Sequence, residues 1–153
     1  METCFFDSSA LLKRYVNENG TTWVADLTNP KAKNTLYIAR ITGAEIVSAL
    51  TRRYKSGSLT INEFNTAIAD FRHDFQSDYR IVEISETLIL QAMDLAEKYA
   101  LRGYDAVQLA AALEVHNERL AFGLSAPTLI SSDFALNEAS IAEGLSVDDP
   151  NLH

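Results

Sequence analysis

Short apolar runs alternate with longer stretches of helical periodicity along this chain, and that alternation restricts the fold more than any other feature. The runs are residues 2–6, Leu36-Tyr37-Ile38, Ile81-Val82-Glu83-Ile84, Thr128-Leu129-Ile130 and a marginal Leu145-Ser146-Val147. Each is too short for a helix and rich in β-branched, aromatic or aliphatic residues. Between them lie segments long enough to cross over a sheet, so successive strands can run in one direction. The pattern predicts an α/β protein with a mostly parallel sheet.

The intervening segments carry helix signals. Leu11, Leu12, Tyr15 and Val16 recur at helical spacing after Ser8 and Ser9, both good N-cap types, and Gly20 ends that helix. A short helix is expected around Trp23 to Leu27, closed by Asn29-Pro30. Thr42 to Tyr54 forms another, with Ile46, Val47 and Leu50 inward. Thr60-Ile61-Asn62-Glu63 is a capping box that opens the next, and Ser85 caps a helix through Leu88, Leu95 and Tyr99. Ala106 to Leu113 is apolar nearly all round, which marks a central buried helix, and residues 134–142 form a last short one.

Four carboxylates stand where strands or loops hand over to helices: Asp7, Glu45, Asp105 and Asp133. Asp7 ends the first apolar run, and Asp133 follows Leu129-Ile130-Ser131-Ser132. Open α/β folds place their ligands at that carboxyl edge of the sheet. Acids converging there repel one another unless a hard cation such as Mg²⁺ or Mn²⁺, which prefers oxygen ligands, lies between them. Each acid also has an ordinary structural role. Asp7 and Asp133 serve equally as N-caps, although Ser8 and Ser9 could cap without a carboxylate. Asp105 suits the positive end of a helix, with Arg102 available as a partner, and Glu45 alone reads as a solvated helix residue. The argument rests on the set.

Composition bounds the function. With 153 residues, 47% of them hydrophobic and 22% charged, the chain is expected to be one soluble domain, 1–153. Its apolar stretches are too interrupted to span a bilayer, and Met1 to Phe6 lacks the regions of a signal peptide. The lone Cys4 cannot form an internal disulfide and packs as a small hydrophobe, so a reducing cytoplasm is the expected compartment. A formal charge of −8 argues against broad, non-specific nucleic-acid binding but leaves a nuclease open. Basic residues gather only locally, at Lys13-Arg14, Arg40 and Arg52-Arg53-Lys55. The last group suits either a helix end or contact with a phosphate backbone.

Four stretches carry a family resemblance. Phe5-Phe6-Asp7-Ser8-Ser9-Ala10-Leu11-Leu12-Lys13-Arg14-Tyr15 resembles the amino-terminal motif of PIN-domain proteins of the VapC toxin type. Ile41-Thr42-Gly43-Ala44-Glu45-Ile46-Val47-Ser48-Ala49-Leu50 is similar to their second acidic motif. Arg102-Gly103-Tyr104-Asp105-Ala106-Val107-Gln108-Leu109-Ala110 is similar to the third, and Leu129-Ile130-Ser131-Ser132-Asp133 to the fourth. The resemblance implies a three-layer α/β/α PIN fold with a central sheet of four to five strands. It implies a Mg²⁺- or Mn²⁺-dependent endoribonuclease acting on RNA, with Asp7, Glu45, Asp105 and Asp133 as catalytic and metal-binding residues and Ser8 and Ser132 as polar supports. A cognate VapB-like antitoxin and a homodimer are the implied partners. Tyr15, Trp23 and Tyr104 are candidates for stacking on RNA bases, Tyr104 foremost. Leu12, Tyr15, Trp23 and Leu27 either form a groove for an antitoxin helix or close the core.

Other chemistries fit poorly. His73, His116 and His153 lack the paired spacing of a zinc site, and the first two lie on polar helix faces. There is no G-x-S-x-G elbow and no Gly-rich phosphate loop. An aspartyl phosphatase would need a second acid where Ser9 stands, and a phospho-acceptor receiver would need a late lysine, whereas none follows Lys98. The remaining alternative is a catalytically silent PIN-like module that binds RNA or protein, against which the presence of all four acids argues.

Overall fold

Strand β1 (Thr3–Phe6) is the middle of a five-stranded sheet in which every neighbouring pair runs parallel. On one side lie β2 (Thr35–Ala39) and then β3 (Arg80–Val82). On the other lie β4 (Thr128–Ile130) and then β5 (Ser146–Asp148). The register pairs Phe6 with Ile38 and with Ile130, so three strands end nearly level at their carboxyl edge. The computed structural model describes all residues, 1–153.

Period-two alternation sends neighbouring strand residues to opposite faces, and both faces are covered. Phe5 and Leu129 pack on α5 (Glu86–Tyr99), α6 (Gly103–Ala121) and α7 (Phe134–Ala142), in a cluster that includes Leu95, Leu109 and Leu136. Cys4, Phe6, Ile38 and Ile130 face α1 (Ser8–Leu11), α2 (Thr21–Leu27), α3 (Thr42–Lys55) and α4 (Ile61–Ser77), meeting Leu11, Val24, Ile46, Leu50 and Phe71. The result is the expected three-layer α/β/α arrangement. Cys4 is buried as expected, and burial pushes its thiol up to about 12. No helix is long and apolar enough to cross a membrane.

Local signals act as their chemistry dictates. Thr60 and Glu63 form the reciprocal capping box, Ser85 caps α5, and α6 buries nine residues from Asp105 to Val115. The first helix departs from its periodicity. It ends at Leu11 and tightens into a 3₁₀ turn over Leu12–Arg14. Within that turn Lys13 points inward and donates to Glu18 (3.2 Å), the Asn19 carbonyl (2.8 Å) and Asn151 (2.9 Å). Arg14 likewise pairs with Asp74 at 3.2 Å, beside the Tyr15 hydroxyl bonded to that carboxylate at 2.7 Å. Lys13 and Arg14 are therefore internal ion pairs rather than a free basic patch. The third and fifth strands also shift, to Arg80–Val82 and Ser146–Asp148, leaving Ile84 and Leu145 outside them.

Gly20 is the N-cap of α2 at φ 84°, a left-handed conformation, and a Cβ there would lie 2.4 Å from the Pro150 carbonyl oxygen. Both the angle and the contact exclude a side chain. Gly20→Ala is expected to destabilise the fold by about 1–3 kcal/mol, read from the urea midpoint at unchanged m-value.

Candidate metal centre

The sheet order spreads three of the four acids across neighbouring strand ends. Glu45 stands in the first turn of α3 after β2, Asp7 directly after β1, and Asp133 beyond β4. Asp105 arrives separately, in the first turn of α6. Their charges are linked in sequence: Glu45 and Asp133 both raise the Asp105 pKa, and Asp133 also raises that of Asp7. The fold thus brings all four residues to one edge.

Asp7 is the most constrained. It is buried and caps α1, accepting from the Ala10 amide at 3.0 Å. It also accepts from Ser9 Oγ at 2.8 and 2.9 Å and from Ser131 Oγ at 3.0 Å. Its own amide donates to the Ile130 carbonyl at 3.2 Å, which ties the end of β1 to β4. Burial pushes the carboxyl up to about 7, against the lowering effect of the Ala10, Ser9 and Ser131 hydrogen bonds. Asp105 is also buried, and desolvation followed by the charges of Asp133 and Glu45 raises it to about 6.

Glu45 is held from two sides. Ser8 Oγ donates to its Oε2 at 2.8 Å, and Gln108 Nε2 donates to its Oε1 at 2.9 Å. Asp133 caps α7 through a 2.8 Å bond from the Leu136 amide to Oδ1. The capping roles of Asp7 and Asp133 are therefore real, at the same edge of the sheet as Glu45 and Asp105.

Several supports lay outside the expected set. Ser8 does support an acid, whereas the Ser132 hydroxyl is buried without a partner. The hydroxyls that hold Asp7 belong to Ser9 and Ser131. Gln108 is fully buried and bridges Glu45 to Thr42 Oγ1 (2.9 Å), while its Oε1 has no protein partner. Its signal was present in the sequence: one helical turn after Asp105, it is the single polar residue in the apolar stretch from Ala106 to Leu113. Arg102 makes no ion pair with Asp105. Its Nη1 donates to the Tyr104 hydroxyl at 2.8 Å, and that bond, with Asp105 and Asp133 nearby, keeps the guanidinium above its ordinary pKa.

The aromatic candidates separate cleanly. Tyr15, Trp23 and Leu27 pack against the core cluster that contains Leu12, so these residues close the core, and Trp23 stacks on His153 at 4.1 Å. Only Tyr104 remains exposed, at 47%. His73 is exposed as expected, but His116 is half-buried with Nδ1 unpartnered. The basic groups divide too: Arg40 pairs with Glu83 and Arg53 with Glu18, while Arg52 opens onto the groove beside Glu45.

The donor set suits a hard cation. It consists of carboxylate oxygens, with the unpartnered Gln108 Oε1 in the same neighbourhood. As placed, however, no group of three or more His, Cys, Asp or Glu side chains is disposed to hold an ion. Asp7 and Glu45 spend their oxygens on protein donors, and like charges favour separation. Glu45 also borders a groove of about 500 Å³ between α1 and α3, walled by Leu12, Ala44, Ser48 and Tyr104. A somewhat larger concavity, about 570 Å³ beside α4, includes none of the four acids.

The sequence model of the PIN domain matches residues 4–140, a span that includes every acid described above. This chain belongs to the PIN-domain family. It is 34% identical over 115 residues to Ribonuclease VapC45 of Mycobacterium tuberculosis (strain CDC 1551 / Oshkosh), covering 75% of this chain and 78% of that one. Ribonuclease VapC49 of strain ATCC 25618 / H37Rv matches with the same identity and coverage. Among solved structures, PAE2754 from Pyrobaculum aerophilum superposes with a TM-score of 0.64 at 16% identity, over 99% of this chain and 85% of that one. VapBC2 from Rickettsia felis, bound to a DNA fragment from its promoter, gives 0.61 at 14%, over 96% and 98%. A toxin–antitoxin complex from Klebsiella pneumoniae gives 0.60 at 18%, over 96% and 97%. At these identities the solved structures establish the PIN fold.

The raised carboxyls fix a pH dependence. Between an ordinary value of 3.8 and about 7, folded Asp7 holds a proton that the unfolded chain has released. Stability from this group, and in the same sense from Asp105, is fully present below about pH 4 and is lost as pH rises through 6 to 7. The metal-free protein is expected to melt higher at pH 5 than at pH 8. Asp7→Asn should flatten that slope and raise the pH 8 melting temperature by at least ~2–4 °C. Gln108→Leu removes the donor shared by Glu45 and Thr42, and urea unfolding is expected to show a loss of about 1–3 kcal/mol.

Proposed function

We propose that this PIN-domain protein is a Mg²⁺- or Mn²⁺-dependent endoribonuclease, the toxin of a VapBC-type toxin–antitoxin pair. The observation that carries the reading is the convergence of Asp7, Glu45, Asp105 and Asp133, electrostatically linked, at the carboxyl edge of the sheet. Burial raises the energy of the Asp7 and Asp105 charges, and a divalent cation would offset that cost. The relatives named as VapC ribonucleases support RNA phosphodiesters as the substrate.

Asp7 and Asp105 would hold the principal ion, with Glu45 and Asp133 completing the shell directly or through water. Such a cation, when bound, lowers the pKa of a water molecule and offsets negative charge developing on the phosphate. The protein supplies position. Ser9, Ser131 and the Ala10 amide fix the Asp7 carboxylate, while Ser8 and Gln108 fix Glu45. Asp133 has one oxygen engaged by the Leu136 amide, and its other oxygen is free to orient the attacking water. The water's oxygen would bond to phosphorus as its proton passes to a carboxylate, and the phosphorus–oxygen bond to the ribose would break, the leaving ribose oxygen taking up a proton from solvent.

The solved VapBC and toxin–antitoxin complexes support a protein partner for this chain. The partner proposed is a VapB-like antitoxin whose basic segment lies in the groove beside Glu45, favoured by the net charge of −8. Pull-down against the product of the adjacent small reading frame tests that pairing, and absence of binding counts against it.

Cleavage of an RNA pool is expected to require Mg²⁺ or Mn²⁺ and to fall at least ~100-fold in Asp7→Asn and in Asp105→Asn, both still folded by circular dichroism. Mn²⁺ should raise the wild-type melting temperature and leave that of Asp105→Asn unmoved. Wild-type cleavage by either variant would refute the assignment. A silent binding module would instead show neither cleavage nor a Mn²⁺-dependent shift.

A further inference from the structure

We infer that Tyr104 and Phe134 form a pair of stacking platforms that grip the bases on either side of the scissile phosphate, with Arg102 as the positioning residue for Tyr104. The inference rests on the ribonuclease reading and names residues that set how the substrate is held.

Phe134 is 78% exposed, although it is the first residue of α7 and follows Asp133 directly. Tyr104 is 47% exposed and precedes Asp105. Each aromatic ring is thus anchored to the backbone of a site acid. They stand on different sides of the cluster. Tyr104 lines the groove with Ser8 and Glu45, on the β2 side of the sheet, whereas Phe134 adjoins Asp133 beyond β4. Asp7, at the end of β1, lies between those strand ends. A chain laid across the acids from the α3 groove towards α7 passes one ring on entry and the other on exit.

Electrostatics explain why rings are needed. The protein carries −8, and four of its acids stand at the cleft, so it cannot hold a polyanion by neutralising many phosphates. Stacking on an aromatic face is insensitive to charge and is open to any unpaired base. The few cations near the cleft are placed to assist. Arg102 donates to the Tyr104 hydroxyl at 2.8 Å, which fixes the ring while the guanidinium stays exposed beside Asp105 and Asp133. Arg52 stands at the far end of the groove, on the same face of α3 as Glu45 and Ser48.

The test begins by sequencing the sites cut in a random single-stranded RNA pool with Mn²⁺, then measures kinetics on a short oligonucleotide carrying the preferred site. Phe134→Ala and Tyr104→Ala are each expected to raise KM by ~5- to 100-fold with kcat changed little, since each removes one stacked base. Phe134→Leu, which keeps bulk and loses the ring, should resemble the alanine variant, whereas Tyr104→Phe and Arg102→Met, which keep the ring and lose only the bond that fixes it, should each raise KM by a smaller and matching factor. Phe122→Ala is the control: it removes a similarly exposed ring at the far end of α6 and should leave KM unchanged. An abasic nucleotide on one side of the cut should abolish the penalty of one variant only, and on the other side that of the other. A wild-type protein that cuts no RNA with Mn²⁺ overturns the ribonuclease reading and the platforms with it. A wild-type protein that cuts, with KM unchanged in Phe134→Ala or insensitive to abasic positions, overturns the platforms alone.

Discussion

The position of β1 between two parallel neighbours is the constraint on which the rest of this protein depends. After β1 the chain adds β2 and β3 to one side, then returns through α5 and α6 to add β4 and β5 to the other. The connection leaving β1 therefore runs to one side and the connection leaving its neighbour β4 runs to the other, which opens a crevice between their carboxyl ends. Asp7 is the residue in that crevice, and its amide bond to the Ile130 carbonyl joins the two halves at the point of divergence. Glu45 and Asp133 flank it because they follow the two strands that pair with β1.

Asp7 shows how structural and chemical roles coexist in one side chain. It caps α1 and binds two serine hydroxyls, which would suffice to explain a polar residue in a turn, yet burial still lifts its carboxyl to about 7. Hydrogen bonds orient the group without repaying the loss of water. Neighbouring Asp133 and, around Asp105, Glu45 add repulsion to that loss. The edge of the sheet is thus a place of stored electrostatic cost, set on a scaffold whose two hydrophobic layers make it tolerable.

Much of this was legible in the residues. The alternation of Cys4-Phe5-Phe6, Leu36-Tyr37-Ile38 and Leu129-Ile130 with helical segments fixed the class, because period-two and period-3.6 burial are local properties. Thr60–Glu63 and Ser85 marked helix starts for the same reason: a cap bonds within a few residues of itself. The first helix was less legible. Its periodicity ran through Val16, but Lys13 bends inward to reach Glu18, Asn19 and Asn151, and a contact 138 positions away in sequence leaves no local trace. Arg102 misled in the opposite way, since a cation three residues before Asp105 invites an ion pair, and it bonds Tyr104 instead.

The four acids, their order and their place at element boundaries came from the sequence alone, since strand ends and helix starts are written in nearest-neighbour chemistry. Only the folded chain decided which side chains support them: Ser9 and Ser131 around Asp7, Ser8 and Gln108 around Glu45, with Ser132 left unpaired. Apart from Ser9, two residues from Asp7, those partners are far in sequence from the acids they hold, and their hydroxyl and amide groups look alike on the page. Tertiary packing also separated the half-buried Tyr15 and Trp23 from the exposed Tyr104 and Phe134, because exposure depends on what the other layers cover.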